Sequence, residues 1–168
     1  MVLLEQAFNS LSSDAFLPFS LTFNLMLSPH LLQPLLMLAG VGQIVLCLGS
    51  LFIPKLLNWK SELAKVSPLI RNIFWVYAAY ILAINFLFGI LSLFASSSLM
   101  DGSVLAKSMT AFIFLYWVSR LVIQFSGFSK HAPTGKIYKV GEIGLVSGFV
   151  YFTLAYALAF YYNLRIDG

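Results

Sequence analysis

Four long apolar runs, at residues 31–53, 73–95, 104–126 and 143–163, take up most of this 168-residue chain. Each is about as long as the ~20-residue helix needed to cross a hydrocarbon core of about 30 Å. Hydrophobic residues make up 60% of the chain and charged residues 10%, against about 25% charged in ordinary soluble domains. So few charges cannot cover the surface of a soluble domain this size. The pattern predicts an all-α fold, an integral membrane four-helix bundle. Residues 29–165 form its four-span domain, and residues 1–28 form an extracytoplasmic or interfacial N-terminal segment.

The basic residues alternate between the connecting loops. Lys55, Lys60, Lys65 and Arg71 fall between spans one and two, and Lys130, Lys136 and Lys139 between spans three and four. The loop 96–103 carries only Asp101, and the tail sets Arg165 beside Asp167. Lys and Arg in short loops mark the cytoplasmic side, so both termini are expected outside the cytoplasm, in a cell (inner) membrane. An even number of spans puts the termini on one side, in agreement with the charges. Residues 15–27 are apolar but short and interrupted by Pro18. They read as a strip in the outer interface or against the bundle, with an additional membrane segment as the alternative.

Ser28-Pro29 and Ser67-Pro68 each offer a hydroxyl cap followed by proline at the first helical position, where its missing N–H costs nothing. Helices one and two are therefore expected to begin near Pro29 and Pro68, with Pro34 bending the first. Asp101-Gly102-Ser103 supplies a turn and a cap before helix three, and residues 130–136 read as a turn-rich loop. Leu56, Trp59, Leu63 and Val66 recur at helical spacing among lysines, which predicts a short amphipathic helix on the membrane surface.

Lipid gives no hydrophobic drive between helices, so close backbone approach must hold them together. Small and polar residues stripe helix one (Gly40, Gln43, Cys47, Ser50) and helix two (Ala78, Asn85, Gly89, Ser92). Helix four carries Gly144-x-x-x-Gly148 in a stripe that continues to Ala155 and Ala159. Gly144 and Gly148 are expected to pack against another span, or to form a self-association seam with a second copy. Gln43 and Asn85, deep in spans one and two, are expected to pair as amides in structural polar packing.

Arg120 is the most unusual residue, a cation inside the third span. A buried guanidinium costs a few kcal/mol unless it snorkels or pairs. Glu142, at the start of helix four, is its expected ion-pair partner. Tyr116 and Trp117 lie one turn before Arg120 and Gln124 one turn after. Together with Tyr77 on helix two, these residues form a candidate polar or ligand site at the cytoplasmic level. The alternatives are an aromatic belt and structural pairing. The site suits a quinone, isoprenoid or acyl chain.

Other chemistry is not written in the chain. Cys47 is the only cysteine, which excludes an intramolecular disulfide and a CxxC pair. His30 and His131 fall at opposite faces, so no metal site is expected, and no cofactor or nucleic-acid partner. No catalytic residue stands out, because no HExxH, P-loop, GxSxG or dinucleotide fingerprint occurs. The runs Trp59-x-x-Glu62-Leu63, Arg71-x-Ile73-Phe74-Trp75-Val76-Tyr77, Trp117-x-x-Arg120 and Gln124-Phe125 resemble a group of small four-span bacterial membrane proteins. The resemblance covers most of residues 35–160. Related chains carry histidine where Tyr77 stands, so it implies no strict need for imidazole chemistry. It implies the bundle and brings no activity with it.

Three readings of function follow. The first is a non-catalytic accessory or scaffold subunit, whose partners are membrane lipids and other membrane proteins. The second is a binding or enzymatic site for a lipid-like or quinone-like ligand at the cytoplasmic end of helices two to four. The third is an oligomeric small-solute transporter.

Overall fold

The computed structural model describes residues 27–126 and 136–166, and among these no strand occurs. The helices, in order, are α1 Pro29–Ser50, α2 Ile53–Leu56, α3 Trp59–Leu63, α4 Pro68–Phe94, α5 Val104–Phe125 and α6 Lys136–Ile166. A 3-10 turn at Ser98–Met100 lies between α4 and α5. Four stretches are long and apolar enough to cross a bilayer: Pro29–Leu56, Pro68–Phe94, Val104–Phe125 and Lys139–Ile166. The chain is an all-α, multi-pass membrane protein. The expected strip at 15–27, apart from its last residue Leu27, and most of the expected loop at 130–136 lie outside the described residues.

Helix starts follow the capping chemistry. α1 and α4 begin at Pro29 and Pro68. Ser67 accepts from the Ile70 amide at 3.5 Å, and Ser103 from the Ala106 amide at 3.1 Å. Ser28 has the extended backbone of a cap but makes no side-chain bond. Ahead of α5, the Ser103 amide donates to Asp101 Oδ1 at 2.9 Å. Gly102 takes φ +74° there, the left-handed conformation that glycine adopts without strain. The surface segment after α1 departs from expectation. It is two short helices, α2 and α3, broken at Asn58 with φ 50°. Asparagine tolerates this left-handed backbone better than most residues. An exposed Lys65–Glu62 pair follows at 2.8 Å, a contact of little energetic weight.

In the bundle, α1 packs against both α4 and α6, and α5 packs along α6. α1 and α4 touch backbone to backbone. A Cβ on Gly40 would lie 2.7 Å from the Gly89 carbonyl oxygen, and one on Gly89 would lie 2.8 Å from Ile44. The stripes on these two helices are therefore contact faces: Gly40, Gln43 and Cys47 are buried opposite Asn85, Gly89 and Ser92.

The hydrophobic core belongs to one half of the molecule. Leu32, Leu36, Ala39, Phe88, Ile113 and Tyr156 are among its members, all toward the end that carries Asp101. α4 and α5 meet through Phe88, set edge-on to Phe112 and Tyr116 at centroid distances of 6.0 and 5.3 Å. Toward the opposite end, the one carrying Lys55, Lys60, Lys65 and Arg71, the helices part.

Candidate functional site

Where the helices part, a cleft of about 1840 Å³ opens between α1, α4, α5 and α6. Its floor lies against the core, where Phe149 and Phe152 of α6 pack on Trp117 of α5 at 5.4 and 4.7 Å. Its mouth is framed by the α2–α3 segment, including Leu56, Leu57 and Trp59. Trp59 is held edge-on by Phe74 at 4.8 Å and Trp75 at 5.8 Å. That aromatic contact ties the surface segment to the first turns of α4, as rings with opposed edge and face charge favour.

The walls are built from small and apolar residues. On α6, Gly141, Glu142, Gly144, Leu145, Gly148 and Phe149 share the lining face, because residues three, four and seven apart lie on one side of a helix. A Cβ at Gly141 or Gly144 would meet nothing within 4 Å, and one at Gly148 would meet only Phe152 of the same helix at 3.8 Å. Gly144 and Gly148 therefore do not form the expected helix contact within the chain. The close approach falls at Gly40 and Gly89 instead, and the Gly144 stripe gives the cleft its width. The same helix packs tightly farther along, at Ala155 and Ala159, which are buried.

Arg120 lines the cleft without its expected partner. No ion pair joins Arg120 to Glu142, which lines the same cleft separately. The Arg120 guanidinium sits 5.6 Å from the centre of the Phe149 ring, a cation–π contact. Its Nε is enclosed with no hydrogen-bond partner. The expected pair is replaced for a geometric reason. Phe149, which carries the guanidinium, is seven residues beyond Glu142 on α6, about 10 Å along the axis at about 1.5 Å per residue.

The amide pairing of Gln43 with Asn85 is not formed either. Gln43 donates through Nε2 to the Tyr156 hydroxyl at 2.7 Å, and the Tyr156 and Ser92 hydroxyls hydrogen-bond each other. One phenol thus joins α1, α4 and α6. Asn85 lines the inner cleft while its Oδ1 has no partner. Enclosed side-chain polar atoms without a partner, among the described residues, belong to Gln43, Asn85, Tyr116, Trp117 and Arg120. Two of these five residues, Asn85 and Arg120, line the cleft. Buried polar groups are normally satisfied, and each one left without a partner costs about 1–3 kcal/mol.

Of the remaining candidates, Gln124 and Tyr77 line the cleft, Tyr77 with 65% of its surface exposed. Trp117 is fully buried beneath the floor, so it supports the site from behind. Among the described residues no three His, Cys, Asp or Glu side chains gather as metal ligands. Two structural polar residues escaped the sequence reading. One is Tyr156; the other is Asn163, fully buried, which accepts from the Gly102 amide at 3.0 Å and donates to the Leu99 carbonyl at 2.7 Å. A buried asparagine at the end of a span, level with the following turn, is the signal that could have revealed that clamp.

This arrangement can hold an elongated apolar molecule and offer it a cation, a carboxylate and amides near one end. Comparison with protein-family models, with curated proteins and with solved structures finds no match to this chain.

Proposed function

We propose that this protein binds a lipid-like amphiphile, which passes sideways from the bilayer into the cleft and lays its tails along the apolar walls. The observation that carries this reading is the cleft itself. Its volume of about 1840 Å³ exceeds the roughly 300–1,000 Å³ of pockets that hold drug-sized molecules. A compact solute or a lone quinone ring leaves most of that space empty, whereas acyl or prenyl tails fill it. Arg120 and Gln124 supply polar contacts for the head.

An accessory or scaffold subunit working through contacts alone is better served by a closed Arg120–Glu142 pair and a solid core. A transporter needs a wet path past Gln43 and Asn85, whose exposures are 0% and 3%. The reading includes no chemical step. The alternation of Lys and Arg supports the cytoplasm as the side of the cleft mouth, with both termini outside an inner membrane. A cysteine introduced at Ser97 then reacts with an impermeant reagent in intact cells, and one at Ser61 does not; the reverse labelling inverts the orientation.

Function is tested by filling the cleft where it is empty. Positions 49 and 144 both have open space around a Cβ, so the Gly49→Phe, Gly144→Phe double variant should fold. In native mass spectrometry of gently solubilised protein, the wild type should retain an amphiphile and the double variant should lose it, at an unchanged melting temperature. Equal retention by both proteins overturns the reading.

A further inference from the structure

We infer that the head group of this amphiphile is a compact zwitterion, its anionic oxygens on Arg120 and its ammonium on Glu142; the inference rests on the binding reading above and names the ligand class. Both side chains line one cleft, and no ion pair joins them or ties either to another described residue. Arg120 is only partly covered, by the Phe149 ring at 5.6 Å, and Glu142 is half-buried.

Charge complementarity selects among head groups. A neutral head leaves both charges uncompensated in a low-dielectric wall, where each is costly. A purely anionic head satisfies Arg120 but brings a second negative charge toward Glu142. A cationic head reverses the problem. Only a head bearing both signs satisfies the two residues and adds no net charge.

Spacing agrees with this choice. The Arg120 guanidinium lies over Phe149, and Glu142 lies about 10 Å nearer the start of α6 on the same face. Two charge-assisted hydrogen bonds of about 2.8 Å, joined by a phosphate and a two-carbon link to an ammonium, span a gap of this size. Order along the membrane normal agrees as well. Glu142 is nearer the end of the bundle and Arg120 is deeper, beside the apolar floor. A bilayer phospholipid with its tails on that floor presents its phosphate first and its ammonium nearer the water. A phosphoethanolamine-headed lipid fits this order without inversion.

Titration of the delipidated protein with phosphatidylethanolamine and phosphatidylglycerol of identical acyl chains, read by native mass spectrometry, tests the assignment. Wild type should prefer phosphatidylethanolamine. Glu142→Gln should weaken that lipid about tenfold, the scale of a charge-assisted hydrogen bond, and leave phosphatidylglycerol unchanged or tighter. Arg120→Gln should weaken both. If Glu142→Gln alters the two lipids equally, or neither, or if the wild type prefers phosphatidylglycerol, the zwitterion assignment fails while amphiphile binding stands. If the Gly49→Phe, Gly144→Phe variant binds both lipids as the wild type does, binding in the cleft fails with it.

Discussion

Toward the Asp101 end, α1 and α4 touch backbone to backbone at Gly40 and Gly89, and the Tyr156 hydroxyl joins α1, α4 and α6. Toward the basic end, the same helices part around a cleft of about 1840 Å³ whose α6 wall is also lined by glycines. Glycine therefore serves opposite purposes in the two halves. At positions 40 and 89 the missing side chain lets backbones meet, and packing follows. At positions 141 and 144 it keeps a wall flat, and room follows. Hydrogen bonding differs as well. The closed half joins three helices through the Tyr156, Ser92 and Gln43 side chains, though Gln43 Oε1 has no partner, and the inner wall of the open half leaves Asn85 Oδ1 and Arg120 Nε without partners.

The contrast is sharpest in the glycines themselves. Gly89→Leu should abolish the folded protein, because its Cβ would already lie 2.8 Å from Ile44 and 3.0 Å from the Gly40 carbonyl oxygen. Gly144→Leu, which meets nothing within 4 Å, should melt with the wild type. Thermal melts in detergent that rank the two variants equally would erase the distinction. A smaller loss is expected from Asn163→Ala, about 1–3 kcal/mol, since it strips partners from the enclosed Gly102 amide and Leu99 carbonyl. That loss should appear in chemical or thermal unfolding without any change in lipid retention.

Arg120→Leu probes the open half and should change stability by less than about 1 kcal/mol, the scale of a partly exposed cation–π contact. A loss of about 3 kcal/mol or more would reveal a buried ion pair instead. The smallest effect is at the turn before α5. Hydrogen bonds from Ser103 hold the Asp101 carboxyl below the ordinary carboxylate range. Its folded value is depressed, so its contribution is present above the unfolded value and is lost as pH falls through the folded one. Stability should decline slightly more in wild type than in Asp101→Asn below about pH 4, as melts across that range would register.

The sequence carried the contact faces of α1 and α4, because small residues at helical spacing mark where a neighbouring backbone can approach closely. It also carried the starts of α1, α4 and α5, since proline after serine, or a serine following Asp-Gly, stops a helix from beginning elsewhere. Residues of the site were legible by type: Arg120, Gln124 and Glu142 do line one cavity. Their relation was not. Pairing of Arg120 with Glu142 depends on how far α5 and α6 slide and splay, and periodicity fixes a face without fixing a tilt. The meaning of Gly144-x-x-x-Gly148 turned on that same missing quantity. Tyr156 passed unnoticed because a phenol in an apolar helix looks like an interface anchor until the hydroxyls and amides opposite it are known.

The chain's three tryptophans, Trp59, Trp75 and Trp117, all stand around the cleft, two at its walls and one beneath its floor. None lies at the Asp101 end. Tryptophan emission of the unlabelled protein, excited selectively over tyrosine, therefore comes wholly from the neighbourhood of the cavity. Trp117 lies beneath the floor where the tails are proposed to rest, and Trp59 and Trp75 stand at the mouth beside the head. Lipids with brominated tails should darken Trp117 on seating more than the mouth pair, so occupancy can be followed in real time without adding a dye or a tag.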